Sequence, residues 1–278
     1  MNNIPTISII ISTYNAVDWL EKTLWSYSVQ TVNDFEIIIA DDGSGEETKI
    51  LIDTFKEHFP VPIVHVWQED DGFQKSRILN RAIEACNSDY ILMSDGDCIA
   101  KEDFIEQHLK YREPNYFLSG GYFKLPMSIS KLITKDDILT KRCFDIEWLK
   151  NNGLKPSFKN NKLTAKGQMA SLLNYITPTN ASWNGHNASG WKKDIIAVNG
   201  FDERMQYGGQ DRELGERMIN MGYKSKQIRY SALCLHLDHA RGYKTKETLE
   251  RNAAIRKNTR KKEYAYTYYG IKKGDDLK

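Results

Sequence analysis

Short runs of β-branched and aromatic residues recur along the first 120 positions, each followed by a segment whose apolar residues return every three or four positions. Ile7 to Ser12 reads as a buried strand, after which Val17, Leu20, Leu24 and Tyr27 share one helical face. Phe35 to Ala40, Ile63 to Trp67 and Tyr90 to Ser94 repeat the strand pattern, and Ile78, Leu79, Ala82, Ile83 and Cys86 form a second helical stripe. Strands alternating with helices predict an α/β fold built on a mainly parallel, Rossmann-like sheet flanked by helices. In such sheets ligands bind beyond the carboxyl ends of the strands, so the residues just after each strand converge. Here those residues are Thr13-Tyr14-Asn15, Asp41-Asp42, Asp70-Asp71 and Asp95-Gly96-Asp97.

Carboxylates gathered at one sheet edge repel one another unless a cation or hydrogen-bond donors compensate them. Oxygen ligands with open positions suit Mg²⁺ or Mn²⁺, which take one or two carboxylates from a protein and the rest from water and phosphate. The implied ligand is a nucleotide diphosphate. Asp-Gly pairs also make ordinary turns, so no single pair decides the matter. A calcium loop starting at Asp95 fails, because Ala100 stands where the sharp turn needs glycine and the preceding segment reads as strand.

Beyond residue 120 the pattern loosens. Lys135 to Asn151 and Gly167 to Tyr175 read as helices around a polar, flexible loop from Gly153 to Lys166, and a strand is expected near Gln227 to Leu233. Glu247 to Tyr269 has helical composition and is strongly basic. Residues 241–278 hold twelve Lys or Arg against five Asp or Glu, leaving 27 basic and 32 acidic residues in the rest. The tail, at +7 against −5, is a separate electrostatic unit that either lies on an anionic membrane or packs on the domain as a solvated helix. No apolar run approaches the roughly 20 residues of a membrane span. The opening Met-Asn-Asn-Ile-Pro-Thr lacks the features of a secretory signal, and Cys86, Cys98, Cys143 and Cys234 have no paired or metal-type spacing. A reducing, cytoplasmic setting is expected, at most peripheral at the inner face of the membrane.

Three strings together resemble the family 2 glycosyltransferases of the GT-A fold: Ile-Ser-Thr-Tyr-Asn, Phe-Glu-Ile-Ile-Ile-Ala-Asp-Asp-Gly-Ser and the DXD-type Ser-Asp-Gly-Asp. The resemblance implies nucleotide-sugar binding by Thr13, Tyr14, Asp42, Phe73, Lys75, Arg77 and Asp95. Tyr14 would stack on uracil, Asp42 would accept from its ring N–H, and Asp95 would touch ribose and sugar. Asp97 would bind a metal bridging the diphosphate. The segment Asp-Gly-Phe-Gln-Lys-Ser-Arg also resembles β-1,4-galactosyltransferases and chondroitin polymerases, in which basic residues opening this helix approach the diphosphate. A helix N-terminus with Lys75 and Arg77 supplies such donors.

A second block, from Trp183 to Leu214, resembles the galactosyltransferase-type segment in which Asn-Gly-Phe-Asp precedes an aromatic-Gly-Gly-Glu-Asp turn. Here the turn is Tyr207-Gly208-Gly209-Gln210-Asp211, with Gln210 replacing glutamate and Tyr207 replacing tryptophan. These residues would border sugar or acceptor, the two glycines letting the backbone approach it. Asp211, placed at the helix entrance where an N-cap aspartate is also common, would be the catalytic base, with Asp202 and Glu213 next in line. In Cys-Leu-His-Leu-Asp-His-Ala-Arg the resemblance implies a histidine metal ligand, His239 ahead of His236, and imidazole favours Mn²⁺ over the alternative Mg²⁺.

The resemblance spans residues 5–113 and 183–242. It divides the chain into a nucleotide-sugar-binding half at 1–120, a fused acceptor-binding and catalytic-base half at 121–242, and a basic helical tail at 243–278. The expected activity is inverting, metal-dependent transfer from a UDP-sugar to a hydroxyl of a glycan or lipid-linked glycan in bacterial surface polysaccharide or lipopolysaccharide synthesis, with no nucleic acid involved. A sugar nucleotidyltransferase is disfavoured because Ser-Thr-Tyr-Asn-Ala-Val after the first strand contains no glycine for a phosphate loop. A non-catalytic sugar-binding module is disfavoured by the retained Asp95, Asp97 and Asp211.

Overall fold

The computed structural model describes residues 4–240 and 245–273, so the amino-terminal Met-Asn-Asn and parts of the basic tail lie outside it. The strands are β1 (Ile7–Thr13), β2 (Phe35–Asp41), β3 (Ile63–Trp67), β4 (Tyr90–Asp95), β5 (Cys98–Ala100), β6 (Tyr116–Ser119), β7 (Gly121–Lys124), β8 (Asn187–Trp191), β9 (Lys224–Gln227) and β10 (Leu233–His236). The first helices are α1 (Val17–Tyr27), α2 (Glu46–His58), α3 (Lys75–Ala85) and α4 (Phe104–Tyr111). Then come α5 (Met127–Leu132), α6 (Lys135–Leu139), α7 (Ile146–Asn151), α8 (Asn161–Thr164) and α9 (Gly167–Ile176). α10 (Lys192–Ala197), α11 (Gln210–Asn220) and α12 (Lys246–Lys261) complete the set.

Seven strands form the main sheet in the order β3-β2-β1-β4-β8-β6-β9, and β5, β10 and β7 form a small second sheet. β1, β2, β3 and β4 run parallel, while β8 is antiparallel to both β4 and β6. The mainly parallel sheet expected from the alternation is therefore present. β1 explains its own unbroken apolar run. Ile7, Ile9 and Ile11 face one cluster with Leu20 and Leu24 of α1, while Ile10 faces another with Ile78, Leu79 and Ile83 of α3. Both faces of the strand are covered, and each fully buried isoleucine contributes about 1.5–3 kcal/mol. A third cluster, around Ile129, Ile138, Leu149 and Leu235, packs the region after β7 against the small sheet.

Register places the site. Thr13 pairs with Asp41, Ser12 with Asp95, and Asp41 with Trp67, so the strand ends finish at one edge. The amides of Asp42 and Gly96 donate to the carbonyls of Thr13 and Ser12, extending this order one residue past the strands.

Three expectations need correction. Lys135 to Asn151 is not one helix: α6 ends at Leu139, Lys141 takes φ 66°, and a 3-10 turn at Arg142–Phe144 precedes α7. The Gly153 to Lys166 segment is not a plain loop, since it carries a 3-10 turn at Phe158–Asn160 and α8. The strand expected near Gln227 to Leu233 is instead a turn linking two strands that it touches only at its ends, β9 pairing with β6 in the main sheet and β10 with β5 and β7 in the other.

The basic tail packs on the domain. α12 stops at Lys261, short of the expected Tyr269, where Glu263 turns the chain at φ 51°. The Asn252 side-chain amide donates to the carbonyls of Gln206, Tyr207 and Gly208, and the Thr259 hydroxyl donates to Glu213. Glu213 pairs at 2.9 Å with Arg217, both 1% exposed, and Arg217 also donates to the carbonyls of Val198 and Gly200. Further on, Thr267 donates to Asp202, and Ile271 packs on the second cluster. Arg251, Lys257, Arg260 and Lys261 stay exposed on the outer face. Among the described residues no helix is long and apolar enough to cross a membrane.

Removing one partner of a buried ion pair strands the other charge. Arg217→Ala is expected to lower stability by about 3–5 kcal/mol in a urea titration, whereas Arg260→Ala on the exposed face should change it by less than about 0.5 kcal/mol. A loss below about 1 kcal/mol for Arg217→Ala would show that this pair does not anchor α11.

Candidate functional site

A cleft of about 910 Å³ opens at the carboxyl edge of β1, β2 and β4. Tyr14 sits at its rim, half-exposed, and its hydroxyl donates to Asp70 at 2.9 Å; that hydrogen bond holds the phenol above its ordinary pKa. Asp42 lies deeper, accepting from the Gln68 side chain at 2.6 Å and the Gln74 amide at 2.9 Å. Burial pushes its pKa up to about 6 against those two donors. Gly43, at φ 97°, lets this turn press on Asp70, because a Cβ there would lie 2.6 Å from the Asp70 backbone.

Lys75, the first residue of α3, reaches into the cleft and meets Asp95 at 2.5 Å. Burial opposes its charge, but the facing Asp95, with Asp211 and Asp97 behind it, raises its pKa above the ordinary lysine value. Asp95 is half-buried, which opposes its charge, yet Lys75, His186 and the Ser12 hydroxyl hold its carboxyl well below the usual range. Arg77 lines neither this cleft nor the adjoining cavity and pairs with Asp71 at 3.4 Å.

At the inner end, one oxygen of Asp97 lies 2.9 Å from Nε2 of His239 and 3.7 Å from Nε2 of His236. The two imidazoles are stacked, with centroids 5.7 Å apart. Each Nδ1 faces a backbone carbonyl at 2.8 Å, that of Leu237 for His236 and that of Ala240 for His239. A carbonyl only accepts, so both Nδ1 atoms carry a proton, and each Nε2 faces the carboxylate either as a lone pair or as a second N–H. Such an arrangement needs a cation or an extra proton between the groups. Two ligands about 2.1 Å from one ion at a right angle lie about 3 Å apart, so Asp97 and His239 fit adjacent octahedral positions. Cys98 Sγ also lies within 4.8 Å of ligand atoms of Asp97 and His236. Its hydrogen bond to Cys234, together with burial, raises its pKa well above the ordinary thiol value, and a soft sulfur suits Mg²⁺ or Mn²⁺ less well than carboxylate and imidazole do.

A second cavity of about 450 Å³ adjoins the first across Lys75, Asp95, Tyr207 and Gln210. Asp211 lines it and accepts from the Gly185 amide at 3.1 Å. The N-cap of α11 is Gly209, at φ 86°, and Asp211 is the second helical residue, so the capping alternative does not describe it. Asp202 and Glu213 are buried in pairs with Arg204 and Arg217, which removes them as substitutes. Gln210 folds back, its side-chain oxygen accepting from the Gly208 amide, and Tyr207 meets Phe73 edge-on at 5.6 Å. The two glycines have a neighbour that local sequence could not show. A Cβ at Gly208 would lie 2.6 Å from Leu249, and one at Gly209 would lie 2.9 Å from Arg256, so α12 lies against this turn.

Thus Thr13, Tyr14, Asp42, Phe73, Lys75, Asp95, Asp97, His236 and His239 meet in one cleft, Tyr207 and Gln210 border both cavities, and Gly208, Gly209 and Asp211 line the second. Sequence reading missed His186. It is half-buried, its ring edge-on to Tyr122 at 4.7 Å, and its buried Nε2 has no partner among the described residues. Burial lowers its pKa while Asp95, Asp211 and Asp97 oppose that shift; its ring lies 6.4 Å from that of His236, and it lines the second cavity with Asp211. Its signal was the histidine in Asn-Gly-His-Asn beside β8. The buried Thr13 hydroxyl is likewise unpartnered, so polar groups on both sides of the cleft are left for a ligand.

Residues 8–125 match the family model described as Glycosyl transferase family 2. The uncharacterized glycosyltransferase YfnE of Bacillus subtilis (strain 168) is 24% identical over 280 residues, covering 89% of this chain and 68% of that protein. Chondroitin synthase of Escherichia coli is 26% identical over 229 residues, covering 79% of this chain and 33% of the synthase. The chain therefore spans about two thirds of the first relative and a third of the second. Among solved structures, the mannosyltransferase PcManGT of Pyrobaculum calidifontis, in complex with GDP-Man and Mn²⁺, superposes with a TM-score of 0.58 at 17% identity, covering 87% of this chain and 59% of that one. S. aureus TarS 1-349 in complex with UDP-GlcNAc gives 0.57 at 12% identity, covering 86% and 60%. These two likenesses concern the fold. Residues 8–125 thus match a glycosyl transferase family 2 domain, and the chain as a whole shares the fold of these two transferase structures.

Proposed function

We propose that the enzyme transfers a sugar from a UDP-sugar to a hydroxyl of a glycan or lipid-linked glycan in surface polysaccharide synthesis, with inversion and with Mn²⁺ preferred over Mg²⁺. The observation that carries this reading is the Asp97 carboxylate facing the Nε2 atoms of two histidines, in the same cleft as Tyr14 and Asp42. Similarity to a relative named chondroitin synthase supports a glycan acceptor.

In this reading Tyr14 stacks on the base, Asp42 accepts its ring N–H, and the Thr13 hydroxyl, Phe73 and Asp95 border ribose and sugar. Asp97 with His239 and His236 would hold the cation, which when bound offsets the charge of the departing diphosphate. Lys75, already charged beside Asp95, adds a donor to that diphosphate; Arg77, engaged with Asp71, is left at the rim. Asp211 takes the proton from the acceptor hydroxyl as its oxygen bonds to the anomeric carbon. The bond from that carbon to UDP breaks on the opposite face, and UDP leaves with the electron pair. Tyr207, Gly208, Gly209 and Gln210 shape the space where sugar and acceptor meet.

The test is release of UDP or GDP from a panel of UDP- and GDP-sugars with Mn²⁺, followed by NMR of the product's anomeric configuration. An α-linked donor should give a β-linked product; a retained configuration would defeat the inverting assignment. Asp211→Asn keeps the bond to Gly185, so its melting temperature and donor affinity should match wild type while turnover falls by roughly 10² to 10⁴. Turnover above about a tenth of wild type would exclude Asp211 as the base.

Asp97→Asn should abolish the Mn²⁺-dependent part of UDP thermal stabilisation and leave the fold intact. An unchanged Mn²⁺ response would contradict the metal assignment.

Asp42 supplies a pH signature. Its carboxyl is ionised above about 6, and an ionised acceptor bonds the uracil N–H more strongly. Uridine affinity, measured without metal, should therefore fall severalfold as pH drops from about 7 to about 5. Asp42→Asn should bind more weakly with a flat profile, and a flat wild-type profile would remove Asp42 from the base site.

A further inference from the structure

The basic tail helix is engaged with the domain, but a different face of the molecule has the character of a lipid-binding surface. Between Glu147 and Asp194 the sequence contains no Asp or Glu. Lys155, Lys159, Lys162 and Lys166 fall inside that stretch, and among the described residues none of the four has an ion-pair partner. The same stretch exposes large apolar side chains: Phe158 at 80%, Met169 at 57%, Leu172 at 51%, Tyr175 at 90% and Ile176 at 56%.

α9 buries little apolar surface. Its buried residues are Ala170 and Asn174, of which Asn174 donates to Ser231 and accepts from the Tyr230 amide, and the exposed Ser171 meets the Tyr111 hydroxyl at 2.9 Å. Met169, Leu172 and Ile176, spaced as one helical stripe, face solvent together. A soluble helix ordinarily buries such a stripe, and a contiguous exposed one marks an interaction surface. The surface is continuous with the site. Lys162 donates to the Tyr122 carbonyl at 3.2 Å, and the Tyr122 ring packs on His186.

We propose that Phe158, Lys155, Lys159, Lys166 and the outer face of α9 dock on a bilayer of anionic phospholipid, with the apolar side chains entering the headgroup boundary and the lysines meeting phosphate. The chemistry selects this occupant. Exposed apolar side chains on a stretch that carries lysines and no carboxylate of its own suit an anionic interface, whereas that stretch offers a cationic protein partner or a second copy of itself no complementary charge. Docking here sets the His186 side of the site toward the membrane. The exposed α12 cations lack this apolar partner set, Leu249 being the large hydrophobic exposed among α12's residues.

Co-sedimentation of the full chain with phosphatidylcholine vesicles, with and without about a quarter phosphatidylglycerol, tests the proposal. Wild type should bind the anionic vesicles and lose most of that binding between about 0.1 M and about 1 M salt. Leu172→Glu with Ile176→Glu, and separately Lys155→Gln with Lys159→Gln and Lys166→Gln, should each reduce binding by about fivefold or more. Arg251→Gln with Lys257→Gln and Lys261→Gln should leave it unchanged. All variants should keep the wild-type UDP and Mn²⁺ thermal shift, so that lost vesicle binding is separable from a failed donor site. The proposal is overturned if wild type does not bind anionic vesicles, if either α9-face variant binds as wild type does, or if the α12 variant alone loses binding. It is also overturned if sedimentation shows a dimer that Leu172→Glu dissociates, since a second copy would then cover the face.

Discussion

Parallel pairing of β1 with β2 and β4 brings carboxylates to one edge whether or not their charges agree. Two carboxylates about 4 Å apart repel by about 4 kcal/mol at an effective dielectric of about 20. Asp42, Asp95 and Asp97 all line the resulting cleft, with Asp70 at its rim through Tyr14 and Asp211 in the adjoining cavity. Their compensation differs, and the differences sort the groups. Asp95 is answered by Lys75, Asp42 by two hydrogen-bond donors, and Asp97 by two imidazoles whose neutral form, protonated on Nδ1, leaves a mismatch at Nε2. That last mismatch is what a divalent cation would resolve, and a diphosphate would then be drawn to cation and lysine together.

The second dependence is structural. The Asp211 side of the site is held from behind by the carboxyl-terminal segment, through Asn252 on the carbonyls of residues 206–208 and Thr259 on the buried Glu213–Arg217 pair. Gly208 and Gly209 make room for Leu249 and Arg256 of that segment. Stability of the tail and geometry of the base are thus one problem, which separates α12 from the role its charge alone implied.

The first half of the fold was legible because its signals are local. β1, β2, β3 and β4 lie within one residue of the runs that announced them, and the acids after each strand meet as the parallel topology requires. The Asp97 and histidine pairing came from resemblance, and the carbonyl partners that set both tautomers were invisible in the sequence. Failures came where long-range contacts decide. Gln227 to Leu233 read as one strand, yet its ends serve two sheets; Lys135 to Asn151 read as one helix, yet it breaks at a left-handed Lys141. His186 was missed because nothing beside it in sequence reveals that Asp95, Asp97 and Asp211 surround it in space. The apolar face of α9 was missed for the opposite reason: periodicity shows that a stripe exists, not which side is covered.

The central claim is that Asp97 and the two histidines hold a divalent cation against a nucleotide diphosphate. It is tested most directly by diffraction at the manganese absorption edge from crystals grown with UDP and Mn²⁺. The account predicts one anomalous peak within about 2.0–2.5 Å of an Asp97 oxygen and of Nε2 of His239 or His236, beside the diphosphate. UDP seated in the cleft with no peak at Asp97, or with manganese held elsewhere, would contradict it.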